Sequence, residues 1–165
     1  MALRKILTDE NPALKKVCRP VTAFNDRLAT LIDDMKETVV HANGVGLAAP
    51  QIGVLRRVVV VDLGDEIVEL VNPRILEQDG EQDGLEGCLS VPDRFGMVKR
   101  PNHVKIEAQD RNGDWYEYEG EALIARCFCH ELEHLDGHLY TEKAYHMLTQ
   151  EEYEEMMNRD QEEDE

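Results

Sequence analysis

Two histidines four residues apart, with a carboxylate beside the first, constrain this chain more than anything else in it: His130-Glu131-Leu132-Glu133-His134. On an α-helix, residues four apart lie on one face, one turn above the other, so both rings can reach a single metal ion. Glu131 projects roughly a quarter-turn away. It is badly placed as a ligand and well placed to take a proton from a water activated there. Hydrolysis of this kind needs a third ligand and an open position on the ion. Histidine pairs at this spacing also arise by chance on exposed helices. The neighbours speak against that here. Leu123 and Cys127 fall on the His130 face at helical spacing, and Leu132 and Leu135 are apolar, so the histidine face is partly a core face. Gly137 follows as a helix stop.

The chain has 165 residues, enough for one domain with a real core. Apolar residues at 42% and charged residues at 32% suit a soluble globular fold. No run of about 18 apolar residues offers a membrane span. The start, Met1-Ala2-Leu3-Arg4-Lys5-Ile6-Leu7, lacks the apolar core of a secretory signal, so a cytoplasmic protein is expected. Four cysteines, Cys18, Cys88, Cys127 and Cys129, are too few to staple a domain of this size. Cys127 and Cys129 face different sides of one helix and read as core residues. The formal net charge is −17, from 35 acidic and 18 basic residues. That opposes direct nucleic-acid binding, because phosphates would be repelled. Residues 151–165 carry nine of the acids and a single base, Arg159, and read as a solvated helix end.

Periodicity outlines the rest. Leu28, Leu31, Ile32, Met35 and Val39 recur at three- and four-residue steps, an amphipathic helix starting near Asn25 or Asp26 and stopping at Ala42-Asn43-Gly44. Residues 44–51 are small and follow neither a helical nor a strand period. Arg57 to Leu63 and Ile67 to Val71 read as a hairpin, and Arg74 to Leu76 as the start of a third strand. Asp79 to Gly87, rich in glycine and charge, reads as a loop. Met97 to Arg100, His103 to Gln109 and Trp115 to Tyr118 read as strands, the last two joined by an Asn-Gly turn. The histidine helix is expected from Gly120 or Glu121 to Asp136. A last polar helix is expected behind a capping box of Thr149 and Glu152. The order predicts an α+β fold, with mostly antiparallel strands packed around a central metal-binding helix and helices near both ends. Residues 1–148 form the expected catalytic domain and 149–165 an acidic C-terminal helix or tail.

The third ligand has several candidates. His41, His103, His138 and His146 lack special surroundings. Cys88 stands out, between a glycine that permits close approach and a short apolar run, in Glu86-Gly87-Cys88-Leu89-Ser90-Val91-Pro92. Its thiolate would complete a Cys-His-His set with one position left for water.

Three segments, in order, resemble the peptide deformylase family: Gly44-Val45-Gly46-Leu47-Ala48-Ala49-Pro50-Gln51, Glu86-Gly87-Cys88-Leu89-Ser90 and His130-Glu131-Leu132-Glu133-His134-Leu135-Asp136-Gly137. The resemblance runs from about Ile6 to Leu139 and includes the stretch Pro12 to Val21. It implies removal of the formyl group from the initiator methionine of nascent polypeptides, with release of formate. Cys88, His130 and His134 would bind one divalent ion, Fe²⁺ in the cell, with Ni²⁺, Co²⁺ or Zn²⁺ as substitutes. Glu131 would carry protons, and Gln51 and the backbone N–H of Leu89 would steady the oxyanion. Val45, Leu123, Cys127 and the body of His130 would wall the methionine pocket, and Gly46 would meet the peptide backbone. Two departures stand out. Cys129 sits where the family often has Gln, and Glu133 where it usually has Asp, with Arg100 as a possible partner for the longer side chain. Some family members dock on the ribosome through a basic C-terminal helix, and the acidic residues 151–165 make that mode doubtful here.

Two rival readings share part of the pattern. A zinc peptidase would draw its third ligand from downstream, His138 or Glu142. A binding module with a closed structural metal would need a fourth protein ligand and would have little use for Glu131.

Overall fold

Four consecutive valines, Val58 to Val61, are all fully buried, so the strand that carries them has a core on each face. The computed structural model describes residues 2–164, with side chains as far as 161, and Glu165 of the expected tail lies outside the described residues. In chain order the elements are α1 (Asp26–His41), β1 (Gly46–Ala48), β2 (Val58–Asp62), β3 (Ile67–Asp79), β4 (Gln82–Cys88), β5 (Val91–Arg100), β6 (His103–Gln109), β7 (Trp115–Glu121), α2 (Leu123–His134), β8 (His146–Met147) and α3 (Gln150–Asp164). A five-stranded sheet runs β1-β2-β3-β6-β7 and a three-stranded sheet runs β4-β5-β8. Every pairing in both is antiparallel. The expected α+β class, with its central helix, is what the chain adopts.

Strand alternation sorts the valines. Val58 and Val60 face α1, joining Leu28, Ile32 and Met35. Val59 and Val61 face α2, joining Phe128, Leu132 and Leu135. Val104 and Ile106 of β6 extend the α2 side of the core. A smaller cluster of Leu14, Val91, Val98, Leu139 and Tyr140 packs beneath the three-stranded sheet. Helix α2 therefore rests on the large sheet by one face and meets the small sheet by another. Its C-terminal end is tied down. Gly137 takes φ 82, and a Cβ there would come within 2.6 Å of the Lys15 carbonyl oxygen. The backbone N–H of Cys18 donates to the Leu135 carbonyl at 2.8 Å. Among the described residues no helix is long and apolar enough to cross a membrane.

Five segments differ from the sequence reading, two of them in their bounds: pairing with β4 starts β5 at Val91 rather than Met97, and pairing with β6 keeps Gly120 and Glu121 in β7, so that α2 begins only at Leu123. Residues 79–87 are not a loop, because 82–88 form β4, paired with β5 over most of its length. Pairing and burial of Glu86 override a composition poor in strand formers. The third strand expected at Arg74 is a continuation of β3. A register shift between Val71 and Arg74 carries it past Asn72, whose φ is 51. The Asn72 side chain holds the kink by bonding the N–H and C=O of Val21 at 2.8 and 2.9 Å. Residues 44–51 hold the short strand β1 and most of a 3-10 turn, Ala49–Ile52. Thr149 and Glu152 do form the expected capping box, at 3.1 and 3.0 Å.

Ala122, at the corner between β7 and α2, has φ 54 and ψ −121, a conformation suited to glycine. Hydrogen bonds to Asn102, Arg126 and Gln82 hold it there. Ala122→Gly should relieve strain worth about 1–3 kcal/mol, partly offset by the freer unfolded chain. The expected net gain of about 1 kcal/mol should raise Tm by about 2–4 °C in a thermal melt. A lower Tm would show that the corner is unstrained.

Glu69 gives a pH-dependent term. Burial raises its pKa, but hydrogen bonds from Arg111 and Lys36 outweigh that and leave it below the ordinary carboxylate range. Because the folded pKa is depressed, this stabilisation is present above the unfolded value, about 4.3, and is lost as pH falls further. In Glu69→Gln the chemical-denaturation stability should be lower at pH 7 and should fall less between about pH 5 and pH 3. Parallel pH curves for the two proteins would rule the effect out.

Candidate metal centre

Helix α2 presents His130 and His134 one turn apart, and the end of β4 brings Cys88 against them. His130 Nε2 lies 3.2 Å from His134 Nε2, and Cys88 Sγ lies 3.4 Å from His134 Nε2. Tetrahedral coordination with ordinary bond lengths puts two nitrogens about 3.3 Å apart and a nitrogen and a sulfur about 3.6 Å apart. Both distances match what one ion requires, and the donor atoms of all three residues lie within 4.8 Å of one another, a group that could hold a metal ion. Burial first, and the repulsion of His130 second, drive the His134 pKa down to about 3, so that ring stays neutral as a ligand must. The rival ligands His138 and Glu142 are exposed and bond each other at 2.9 Å. His103 and His146 pair with surface glutamates, and His41 is exposed.

His130 is oriented from behind. Its Nδ1 meets Glu86 Oε1 at 2.5 Å, which leaves Nε2 for the ion. Arg100 binds the same carboxylate through Nη2 at 2.6 Å and Nε at 3.1 Å, and Arg126 binds it through Nη1 at 2.8 Å. Burial works against the Glu86 charge, but His130 and Arg100 overcome it and hold its pKa down to about 2. Arg100 also reaches Glu133 at 2.5 Å, the contact expected of the longer acid at that position. Tyr140 stacks on the His130 ring at 5.8 Å between centroids.

Glu131 lies beside the ligands, with Oε1 3.9 Å from His130 Nε2. Its Oε2 is buried and has no hydrogen-bond partner. Burial pushes its pKa up and Glu86 adds to this; His130 opposes both, and the result is about 7. A carboxyl poised there can both accept and return a proton near neutral pH. Gly46 is what lets it sit so close. A Cβ on residue 46 would lie 2.9 Å from Glu131 Cγ and 3.0 Å from Cys127 Sγ.

A groove of about 530 Å³ opens onto this cluster. Val45, Gly46, Leu89, Leu123 and Cys127 line it, along with His130 and Glu131. Leu123 is 61% exposed and Val45 42%, and the two share the wall of this groove. Cys127 contributes a neutral thiol, since burial and then Glu131 push its pKa well up. Gln51 is placed differently from the others. It lies behind Cys88 and is almost fully buried, with Nε2 donating to Ser90 Oγ at 3.1 Å and approaching Cys88 Sγ at 3.5 Å. Its Oε1 accepts from the Ala48 N–H at 2.9 Å.

Cys88, His130, His134 and Glu131 thus come together, Val45, Gly46, Leu89, Leu123 and Cys127 line the adjoining groove, and Gln51 lies behind Cys88. Sequence reasoning missed Glu86 and Arg126. Reading 79–87 as a loop hid Glu86. Arg126 was legible, four residues before His130 and so directly one turn along the same stripe.

Comparison with known proteins agrees with this geometry. Residues 3–150 match the family model described as polypeptide deformylase. The peptide deformylase of Agathobacter rectalis is 56% identical over 158 residues, spanning 94% of this chain and all of the relative. That of Caldicellulosiruptor bescii is 50% identical over 96% of each chain. Among solved structures, peptide deformylase from Thermotoga maritima superposes with a TM-score of 0.84 at 40% identity, covering 86% of this chain and 97% of its own. The enzyme from Legionella pneumophila gives 0.83 at 42% identity, covering 95% and 91%. With the fold, the ordered motifs and these relatives in agreement, the chain belongs to the polypeptide deformylase family.

Proposed function

We propose that this protein hydrolyses the formamide bond of N-formyl-methionyl peptides, nascent polypeptides above all, to give formate and a free methionine amino group. The observation that carries the reading is the convergence of Cys88, His130 and His134, with Glu131 beside them, on the wall of an apolar groove. These three residues would hold one divalent ion. A mixed thiolate and imidazole set suits several first-row metals. Fe²⁺ is the proposed ion in the cell, with Ni²⁺, Co²⁺ or Zn²⁺ as substitutes. When bound, such an ion supplies Lewis acidity, polarising the formyl carbonyl and acidifying a water in the site.

The chain's own groups do the rest. Glu131 takes the proton of the attacking water and passes it to the leaving amine nitrogen. Gln51 and the Leu89 N–H donate to the formyl oxygen as charge builds on it, and one such donor is worth about 10²–10³ in rate. Ser90 keeps the Gln51 amide turned toward Cys88. Val45, Leu123, Cys127 and the His130 ring enclose the methionine side chain. Gly46 offers its backbone to a peptide lying extended along the groove.

The catalytic unit we propose spans 1–148, with 149–165 an acidic appendage. Contact with the ribosome would then come through the substrate rather than through a basic docking helix, and the compartment would be the cytoplasm, where nascent chains are made. The net charge of −17 opposes direct binding of nucleic acid.

Anaerobically purified protein incubated with formyl-Met-Ala-Ser should release formate when Fe²⁺ is supplied. Absence of formate with and without the metal would overturn the function. Cys88→Ala should lose bound metal and formate release together, whereas a peptidase with a downstream ligand would keep both. Glu131→Gln should keep its metal, measured by elemental analysis, while kcat drops by about 10²–10⁴.

A further inference from the structure

Arg126 is a buried cation that the proposed reaction does not use. Its side chain is 7% exposed, yet it extends from α2 toward the small sheet rather than to solvent. Nη1 donates to Glu86 Oε2 at 2.8 Å and to the Val98 carbonyl at 3.0 Å. Nη2 is buried without a hydrogen-bond partner and lies over Gly84, where a Cβ would come within 3.0 Å of it. The guanidinium seat therefore exists because residue 84 has no side chain.

These contacts close a loop. Arg126 and His130 are one turn apart on α2, and both grip Glu86 of β4, one oxygen each. Cys88 stands two residues beyond Glu86. The strand that carries the sulfur and the helix that carries the imidazoles are thus coupled through one carboxylate. Arg100 also binds that carboxylate, but from β5, and it shares Oε1 with His130. Arg126 alone among the described residues grips Glu86 from the histidine helix itself while leaving Oε1 to the ring.

We propose that Arg126 is a positioning residue for the metal centre. It holds the Glu86 carboxylate in the plane that accepts from His130 Nδ1, and so fixes Nε2 as the atom that faces the ion. The effect is on ligand geometry, because partners one step behind the ligands fix ring orientation and tautomer. The inference rests on the metal reading of Cys88, His130 and His134.

The test uses Co²⁺, whose visible bands report ligand geometry independently of turnover. Wild-type protein should bind one Co²⁺ and show thiolate and ligand-field absorption. Failure of the wild type to bind would overturn the metal reading and this inference with it. Arg126→Met should fold, since Arg100 still neutralises Glu86. Its Co²⁺ affinity, measured against a competing chelator, should fall about 10–100-fold, with shifted bands. Turnover of formyl-Met-Ala-Ser should lose kcat, and KM is read separately because Arg126 also borders the groove; the Co²⁺ affinity and bands, which no groove contact moves, carry the test. Arg126→Lys should recover part of the affinity by returning a cation to Glu86. Gly84→Ala, which crowds Nη2 and leaves every charge in place, should shift the bands the same way by a smaller amount. Wild-type Co²⁺ affinity and spectrum in Arg126→Met, accompanied only by a lower Tm, would reduce Arg126 to a structural strut. If Arg126→Met does not fold, an unchanged spectrum in Gly84→Ala would overturn the proposal.

Discussion

Glu86 lies inside the protein with 5% of its surface exposed, and its charge must be answered there or not carried at all. Two guanidinium groups and an imidazole answer it, from three directions and two elements. Breaking such a set by removing one partner is far more costly than its net worth, because the remaining charges stay buried. The positions of β4, β5 and α2 are therefore mutually dependent. The ligand geometry follows from that dependence, since Cys88 ends β4 and His130 and His134 lie along α2. The three donors thus sit on elements that share one buried carboxylate.

The large sheet supplies the complementary rigidity. Helix α2 needs a flat, apolar floor, and β2, β3 and β6 provide it with Val59, Val61, Leu70 and Ile106. Helix α1 closes the other side with Ile32 and Met35. The charged residues that give the chain its net −17 are pushed outward by this arrangement, leaving the interior with a few ionisable groups, each with a partner or a task. Glu131 is the instructive case, because one of its oxygens is both buried and unpartnered. Burial in that condition raises its pKa to about 7, which suits the proton transfer proposed for it.

How much of this was legible depended on whether the signal was periodic or relational. The α1 stripe, the Thr149 cap, the limits of β6 and the histidine pair all announce themselves through spacing, and the structure reproduces them. Cys88 was legible through its neighbours, and Glu133 through the length of its side chain. Residues 82–88 were not, because glycine and acid content carries the signature of a loop while pairing with β5 and burial of Glu86 decide the outcome. Gln51 illustrates a different limit. Its position in the chain was found, but nothing in its neighbours foretold that both ends of its amide would be engaged, by Ser90 on one side and Ala48 on the other.

Strand β1 stands at one edge of the five-stranded sheet and is only three residues long. An unpaired sheet edge is a template for any extended chain, including another copy of the same protein, and long flat edges drive aggregation. Three residues offer too few hydrogen bonds to recruit a second sheet, and under the proposed function they would register a single short segment beside Gly46. Brevity thus separates welcome from unwelcome partners. On the proposed function, the same economy would leave the edge indifferent to side chains further along the visitor, as an enzyme that serves many different polypeptides requires.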